Sequence, residues 1–289
     1  MGHSHSHDGI DWNDKIASLR ERDELLAPES AELARALLRK QDRSVIDVGS
    51  GAGGMSAAFA DALWDTGGTV VLVDSAPELL AEGERNAAAA AGSGVAVRSV
   101  AVDVAAGDLS QVGVADLVFA SRAVHHLPDQ VAGLRRLASL VRPGGQLAIV
   151  ESGLEPRALP WDVGLAEPGL ELRLAAARAE WFREMRADMG GSVRMPFGWS
   201  RALAEAGLEQ VRSWTQLVDR PAPVSGPAFT AVVERLEWLR RGAEGRVAQQ
   251  DLDAVDALLD PDGPHYVGGR DDVYYLVADT VHVGGKPAG

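Results

Sequence analysis

The run Asp47-Val-Gly49-Ser-Gly51-Ala-Gly53-Gly54 and the carboxylate of Asp74 bear most directly on what this chain can do. Glycines let a backbone turn tightly and bring its N–H groups to a ligand with no Cβ in the way. A helix N-terminus behind such a loop offers further unpaired N–H groups. Gly49, Gly51 and Gly54 fit the G-x-G-x-x-G spacing of dinucleotide-binding turns. Asp74 lies 21 residues past Gly53, where a carboxylate can accept from both hydroxyls of an adenosine ribose. A nicotinamide dinucleotide and any other adenosine-bearing cofactor make the same demands, so these residues alone do not choose between them. A ligand-free turn, and an Asp that only caps the helix opening at Pro77, are the structural alternatives.

The elements needed to position such a loop are present. Ser44–Val48 is a short apolar run entering the glycines, the pattern of a buried parallel strand. Residues 69–73, 95–102, 117–120 and 146–150 repeat it, ending at Asp74, Asp103, Ser121 and Glu151. Helical spacing intervenes at 55–64, 77–91 and 131–141, and Pro143-Gly144-Gly145 reads as a turn. Strand and helix alternating through short connections predict a doubly wound, Rossmann-like α/β sheet over residues 41–153. Residues 12–26 and 30–40 predict two N-terminal helices, separated around Pro28. Residues 1–10 are a polar, His-rich tail. Residues 154–198 break the rhythm with prolines and then an amphipathic helix over 170–189, the pattern of a lid insertion. Residues 199–289 predict a short helix, a strand at 209–218, a mostly helical stretch at 227–259 and a last strand at 273–283.

Composition limits the partners. The chain has 289 residues, no cysteine and a net charge of −14 from 28 basic and 42 acidic side chains. The charge disfavours nucleic acid, whose binding rests on Lys and Arg neutralising phosphates. The absence of cysteine excludes disulfides, thiolate metal sites and a thiol nucleophile. The sequence shows no apolar leader and no span long enough for a bilayer. The expected setting is the cytoplasm and the expected partner a small molecule, with no membrane and no nucleic acid.

Three later features narrow the cofactor. Asp103 ends the third strand, where it can accept from an adenine amino group while Val104 packs on the ring. Ser121-Arg122-Ala-Val-His125-His126-Leu-Pro128 follows the fourth strand. Leu137–Val150 joins a helix through Pro-Gly-Gly to the fifth strand. The ordered set Asp47–Gly53, Asp74, Asp103, Ser121–His126 and Pro143–Gly145 resembles the small-molecule class I methyltransferases, those of ubiquinone and menaquinone biosynthesis in particular. The resemblance covers residues 41–153 and extends weakly through Phe197-Gly-Trp199 and Ala206-Gly207-Leu208.

That resemblance implies a seven-stranded sheet with its last strand antiparallel, and S-adenosyl-L-methionine as methyl donor. It implies that Asp47, Gly49, Ser50, Gly51 and Gly53 form the loop around the methionine part, with Asp74 and Ser75 at the ribose and Asp103 and Val104 at adenine. Ser121 and Arg122 would lend backbone near the donor's amino group, with His126 nearby. Arg122 departs from the family, where an apolar residue is usual, so no side-chain role carries over.

Methyl transfer is an in-line displacement that needs alignment and shelter from water, and a base only where the acceptor must lose a proton. The candidates for that base are His125, His126 and Glu151. Neighbours on a helix point about 100° apart, so one histidine is expected to face the site. Trp181, Met185 and Met189 share one helix side at i, i+4 and i+8. Together with Trp12 they are the expected wall of an apolar acceptor pocket. Two other function classes share the loop: a nicotinamide-dependent oxidoreductase, which leaves Asp103 and the Pro143 turn unexplained, and a non-catalytic S-adenosylmethionine-binding protein.

Overall fold

The computed structural model describes residues 12–289, with side chains from residue 16 onward; the His-rich tail and the side chain of Trp12 lie outside the described residues. Seven strands form one sheet in the order β3-β2-β1-β4-β5-β7-β6. They are β1 (Ser44–Val48), β2 (Gly68–Asp74), β3 (Val95–Ala101), β4 (Ala115–Ser121), β5 (Val141–Arg157), β6 (Glu209–Arg220) and β7 (Tyr275–Gly285). Strands β3 to β5 run parallel, and the last strand is antiparallel, as the resemblance implied.

The sheet is covered on both faces, and strand alternation decides which residues face which layer. Val45, Leu117 and Phe119 point to one side, where they meet Leu33 and Leu37 of α1 (Trp12–Leu37), Phe59 of α2 (Gly54–Ala62) and Leu80 of α3 (Pro77–Ala90). Ile46, Val118 and Ala120 point to the other side, onto Leu134 and Leu137 of α4 (Gln130–Ser139) and Leu203 of α6 (Trp199–Glu205). Because β1 lies between β2 and β4, helices leave in opposite directions there. Open α/β sheets bind ligands at such a switch point.

Two compact units divide the chain. One takes residues through Gly153, Val193–Gln216 and Asp279–Gly289; the other takes Leu154–Ser192 and Leu217–Ala278. The second unit is mostly helical, built on α5 (Leu170–Asp188), α7 (Pro227–Ala243) and α8 (Gln249–Leu259). Its core includes Leu174, Val232, Leu236, Leu239 and Leu258, and Arg173 pairs with Asp251 at 2.7 Å. No helix of the described residues is long and apolar enough to cross a membrane.

Two local expectations are corrected. The two N-terminal helices are one, α1, which continues through Pro28. Leu25, Leu33, Ala34 and Leu37 are buried on its length, and that burial outweighs the backbone hydrogen bond that proline removes. Pro143–Gly145 does not terminate a turn before a short strand; it lies inside β5, which runs 17 residues. Ala115 pairs with Val141 but Leu117 with Gln146, so the extra residues are accommodated as a bulge, with Gly144 at φ 75°. The stretch 227–259 is mostly helical as expected, in two helices broken after Ala243, where Gly245 takes φ 72°.

Candidate active site

Parallel pairing brings the C-terminal ends of β1, β2, β3 and β4 to one edge of the sheet. Val48 pairs with Val73 and Ala120, and Asp74 pairs with Ala101. The sequence-predicted donor residues therefore leave the same edge.

The loop after β1 is held from three sides. Gly49 and Ser50 both donate N–H to the Val73 carbonyl, at 2.7 and 3.2 Å. Asp74 accepts from Gly51 N–H through one oxygen and Ala76 N–H through the other, both at 3.1 Å. Beneath the loop Asp47, 2% exposed, takes the Ser56 hydroxyl at 2.6 Å. Gly49, Gly51 and Gly53 all sit at positive φ (69°, 53° and 88°), a region costly for residues with a Cβ. Gly83 of α3 closes the far side: a Cβ on Gly53 would come within 2.5 Å of the Gly83 Cα.

Helix α1 supplies a fourth wall that sequence reasoning missed. Asp23 lies against Gly54, where a Cβ would meet its carboxylate carbon at 2.4 Å, and Leu19 lies nearest to Gly51. Arg20, one turn away, is ion-paired with the buried Glu82 of α3, which Arg85 also engages. Burial pushes the Asp23 carboxyl up to about 6, against the lowering effect of the Gly54 N–H. Burial also pushes Asp47 up to about 7; the Ser56 hydroxyl opposes this and the charges of Asp23 and Asp74 add to it.

Asp103 is exposed beyond β3 and accepts the Ala105 N–H at 2.8 Å, while the Val104 carbonyl accepts Arg136 Nε at 2.8 Å. Ser75 is exposed beside Asp74, and Ser121 is half-buried at the end of β4. Arg122 next to it adopts φ 51°, a strained conformation for so bulky a residue. Its N–H reaches the Val150 carbonyl at 2.9 Å, and its guanidinium grips both oxygens of Asp279 on β7 at 2.7 and 2.6 Å. No sequence signal links residues 157 positions apart.

The three candidates for a base stand together. His125 Nδ1 lies 2.6 Å from Glu151 Oε2, and its backbone N–H donates to Glu151 Oε1 at 3.3 Å. Glu151 is 2% exposed. The two histidines lie on a single 3-10 turn, Val124–His126, and do not diverge as an α-helical spacing predicts: their rings are in contact, 4.0 Å between centroids. A buried carboxylate on Nδ1 fixes the imidazole's orientation and tautomer, the arrangement of a proton-accepting pair.

Of the residues expected at the acceptor, three belong to the second unit. Trp181 and Met185 are half-buried on α5, and Met189 is its C-cap rather than part of it. The Trp181 face carries the Arg178 guanidinium at 3.6 Å, which also lies 4.2 Å from Trp238.

Residues 46–147 match the methyltransferase domain family. The chain is 31% identical over 128 residues to the 27-O-demethylrifamycin SV methyltransferase of Amycolatopsis mediterranei (strain S699), covering 44% of this chain and 40% of that one. It is 33% identical over 142 residues to the ubiquinone biosynthesis O-methyltransferase of Xanthomonas axonopodis pv. citri (strain 306), covering 49% and 56%. The matches thus span about half the length of these curated relatives. A candidate methyltransferase of Bacillus halodurans C-125 shares the fold, with a TM-score of 0.51 at 16% identity, over 90% of this chain and 99% of that one. The matched segment holds the glycine loop, Asp74, Asp103 and the His125–His126 turn, so the residues expected at the donor lie within the part of the chain that is similar to methyltransferase domains.

Proposed function

We propose that this protein transfers the methyl group of S-adenosylmethionine to an oxygen of a small, partly apolar organic acceptor, with His125 as proton acceptor. The residues fit the donor: positive-φ glycines leave the loop backbone open, Asp74 stands at the end of the second strand, and the Ser50 hydroxyl is enclosed with no hydrogen-bond partner. Bound there, the donor supplies a methyl on a sulfonium leaving group. The chain's own part is to hold the donor with the loop, Asp74 and Asp103, and to accept a proton at His125 Nε2 as the acceptor oxygen becomes nucleophilic.

The His125–Glu151 pair at 2.6 Å is the observation that carries the oxygen acceptor. A hydroxyl or phenol attacks well only as it loses its proton, whereas a sulfur or a neutral amine needs less help. The name of the ubiquinone biosynthesis O-methyltransferase agrees with this reading. Two measurements test it. Calorimetric titration is expected to show binding of S-adenosylmethionine and not of NAD. A screen of hydroxylated metabolites with labelled donor is expected to return a methyl ether. Binding of NAD alone overturns the donor, and exclusive methylation of nitrogen or carbon overturns the acceptor.

Asp74→Ala is expected to weaken donor binding more than Asp103→Ala. Asp74 would accept two ribose hydroxyls and already orders Gly51 N–H, whereas Asp103 would take one adenine contact. Each bond contributes about 0.5–1.5 kcal/mol, so the Asp74 loss is expected to be about twice as large. Equal or reversed changes in dissociation constant would show that one carboxylate is misassigned.

Trp12, Trp181, Met185 and Met189 are proposed as acceptor contacts on their apolar chemistry. Truncating Met185 and Met189 to Ala is expected to lower acceptor turnover several-fold at unchanged donor affinity. A lower melting temperature with normal turnover would make them packing residues.

A further inference from the structure

Among the described residues, no ion pair is formed by the carboxylates around the glycine loop. Asp23 on α1, Asp47 on β1 and Asp74 on β2 surround one glycine loop, and none of the three forms an ion pair with a described residue. Arg20 on α1 and Arg85 on α3 are both paired with Glu82. Like charges around one point disfavour the ionised state unless a cation arrives. Within the same loop the enclosed Ser50 hydroxyl lacks a partner, and an enclosed polar atom without one calls for a ligand atom. A methyl donor of the proposed kind carries positive charge on sulfur and loses it on transfer, so the group that fits this loop changes charge during the reaction.

We propose that Asp23 is a donor-specificity residue: carried on α1 against Gly54, its carboxylate completes a ring with Asp47 and Asp74 that holds the cationic donor more tightly than its neutral-sulfur product. Asp47 acts through space from below the loop, Asp74 from the second strand, and Asp23 from the covering helix. Donor binding stabilises the ionised ring; methyl transfer removes the sulfonium charge and with it part of the hold on the product, which favours exchange for fresh donor. The inference rests on the donor reading above and adds to it a residue outside the matched segment 46–147.

The test compares S-adenosylmethionine with S-adenosylhomocysteine by calorimetry at pH 6.5, in two buffers of different ionisation enthalpy, for the wild type and Asp23→Asn. Asparagine keeps an oxygen for the Gly54 N–H, so the loop contact survives. The wild type is expected to release protons on binding the donor and fewer on binding the product, because the sulfonium favours ionised carboxylates. Asp23→Asn is expected to weaken the donor about tenfold and the product by much less, as removal of one charge near another does, and to reduce the proton release. The sign for stability follows from the raised carboxyl pKa: the folded protein holds more protons than the unfolded chain between about pH 4 and 6, so ionised Asp23 costs stability above that window. Asp23→Asn is therefore expected to melt no lower than the wild type at pH 7.5. Equal weakening of both ligands, or no change in either, overturns the specificity role while leaving the donor reading intact. Failure of the wild type to bind either ligand overturns the donor reading itself.

Discussion

Gly51→Val is expected to weaken donor binding by a protein that still folds. At φ 53° a valine is strained, yet its Cβ would meet nothing nearer than Leu19 Cδ1 at 3.9 Å. The left-handed conformation costs roughly 1–2 kcal/mol, more for a branched side chain, against a total stability of about 5–15 kcal/mol. The space above Gly51 is thus open, with only Leu19 at its margin. Filling it puts a side chain where the proposed ligand approaches the backbone, and such overpacking costs a further 1–3 kcal/mol or so. The strain weighs on free and bound protein alike and lowers stability, whereas the overpacking weighs on the bound state and predicts a loss of donor affinity of about ten- to a hundredfold, since each 1.4 kcal/mol is tenfold. Gly53→Ala supplies the contrast. There a Cβ would lie 2.5 Å from the Gly83 Cα and 2.7 Å from its carbonyl oxygen, so α3 must move and the melting temperature falls steeply. Calorimetric titration and thermal melting of both variants separate the two roles. Near-normal donor binding by Gly51→Val would contradict the loop assignment, and an unaltered melting point for Gly53→Ala would contradict the packing.

The difference between these glycines also shows how far the sequence is legible. Spacing marks the loop, because its chemistry is local: a strand, glycines and a helix within a few residues. It cannot say that Gly53 answers to Gly83 and Gly51 to open space, since that depends on how α3 seats. The same division holds elsewhere. Alternating strands and helices are readable from periodicity, and they place Asp74 and Ser121 at the strand ends; Glu151, expected to close the fifth strand, instead lies inside β5, which runs on to Arg157. The continuity of α1 through Pro28 is not, because burial of Leu25 and Leu33 on either side decides it. The grip of Arg122 on Asp279 and the approach of Asp23 to Gly54 join distant parts of the chain with no pattern in either segment. For the two histidines the residue types are legible, but their mutual geometry depends on a 3-10 turn that periodicity read as α-helical.

That geometry carries the second large effect. His125→Ala and Glu151→Gln are each expected to lower the rate of methyl transfer to a hydroxyl acceptor by roughly 100-fold or more, the contribution of a positioned base, with donor affinity unchanged. Glutamine keeps the size of Glu151 and a hydrogen-bonding oxygen for the His125 N–H, but removes the charge that stabilises an imidazolium on Nδ1. Loss of that charge leaves the histidine in place and a poorer proton acceptor. If the pair acts as one unit, the double variant is scarcely slower than either single one, because removing the second partner takes away nothing that the first has left working. If Glu151 only fastens the turn at the end of β4, the two losses multiply, and Glu151→Gln changes melting temperature more than turnover. The 2.6 Å contact of a carboxylate 2% exposed with a half-buried imidazole makes the first outcome the expected one. His126 is the internal control. Its ring touches His125, whereas Glu151 is bonded to His125 through both oxygens, so His126→Ala is expected to disturb turnover far less than His125→Ala. A reversed order, with His126→Ala the slower variant, would move the base to the neighbouring ring and leave Glu151 a positioning residue.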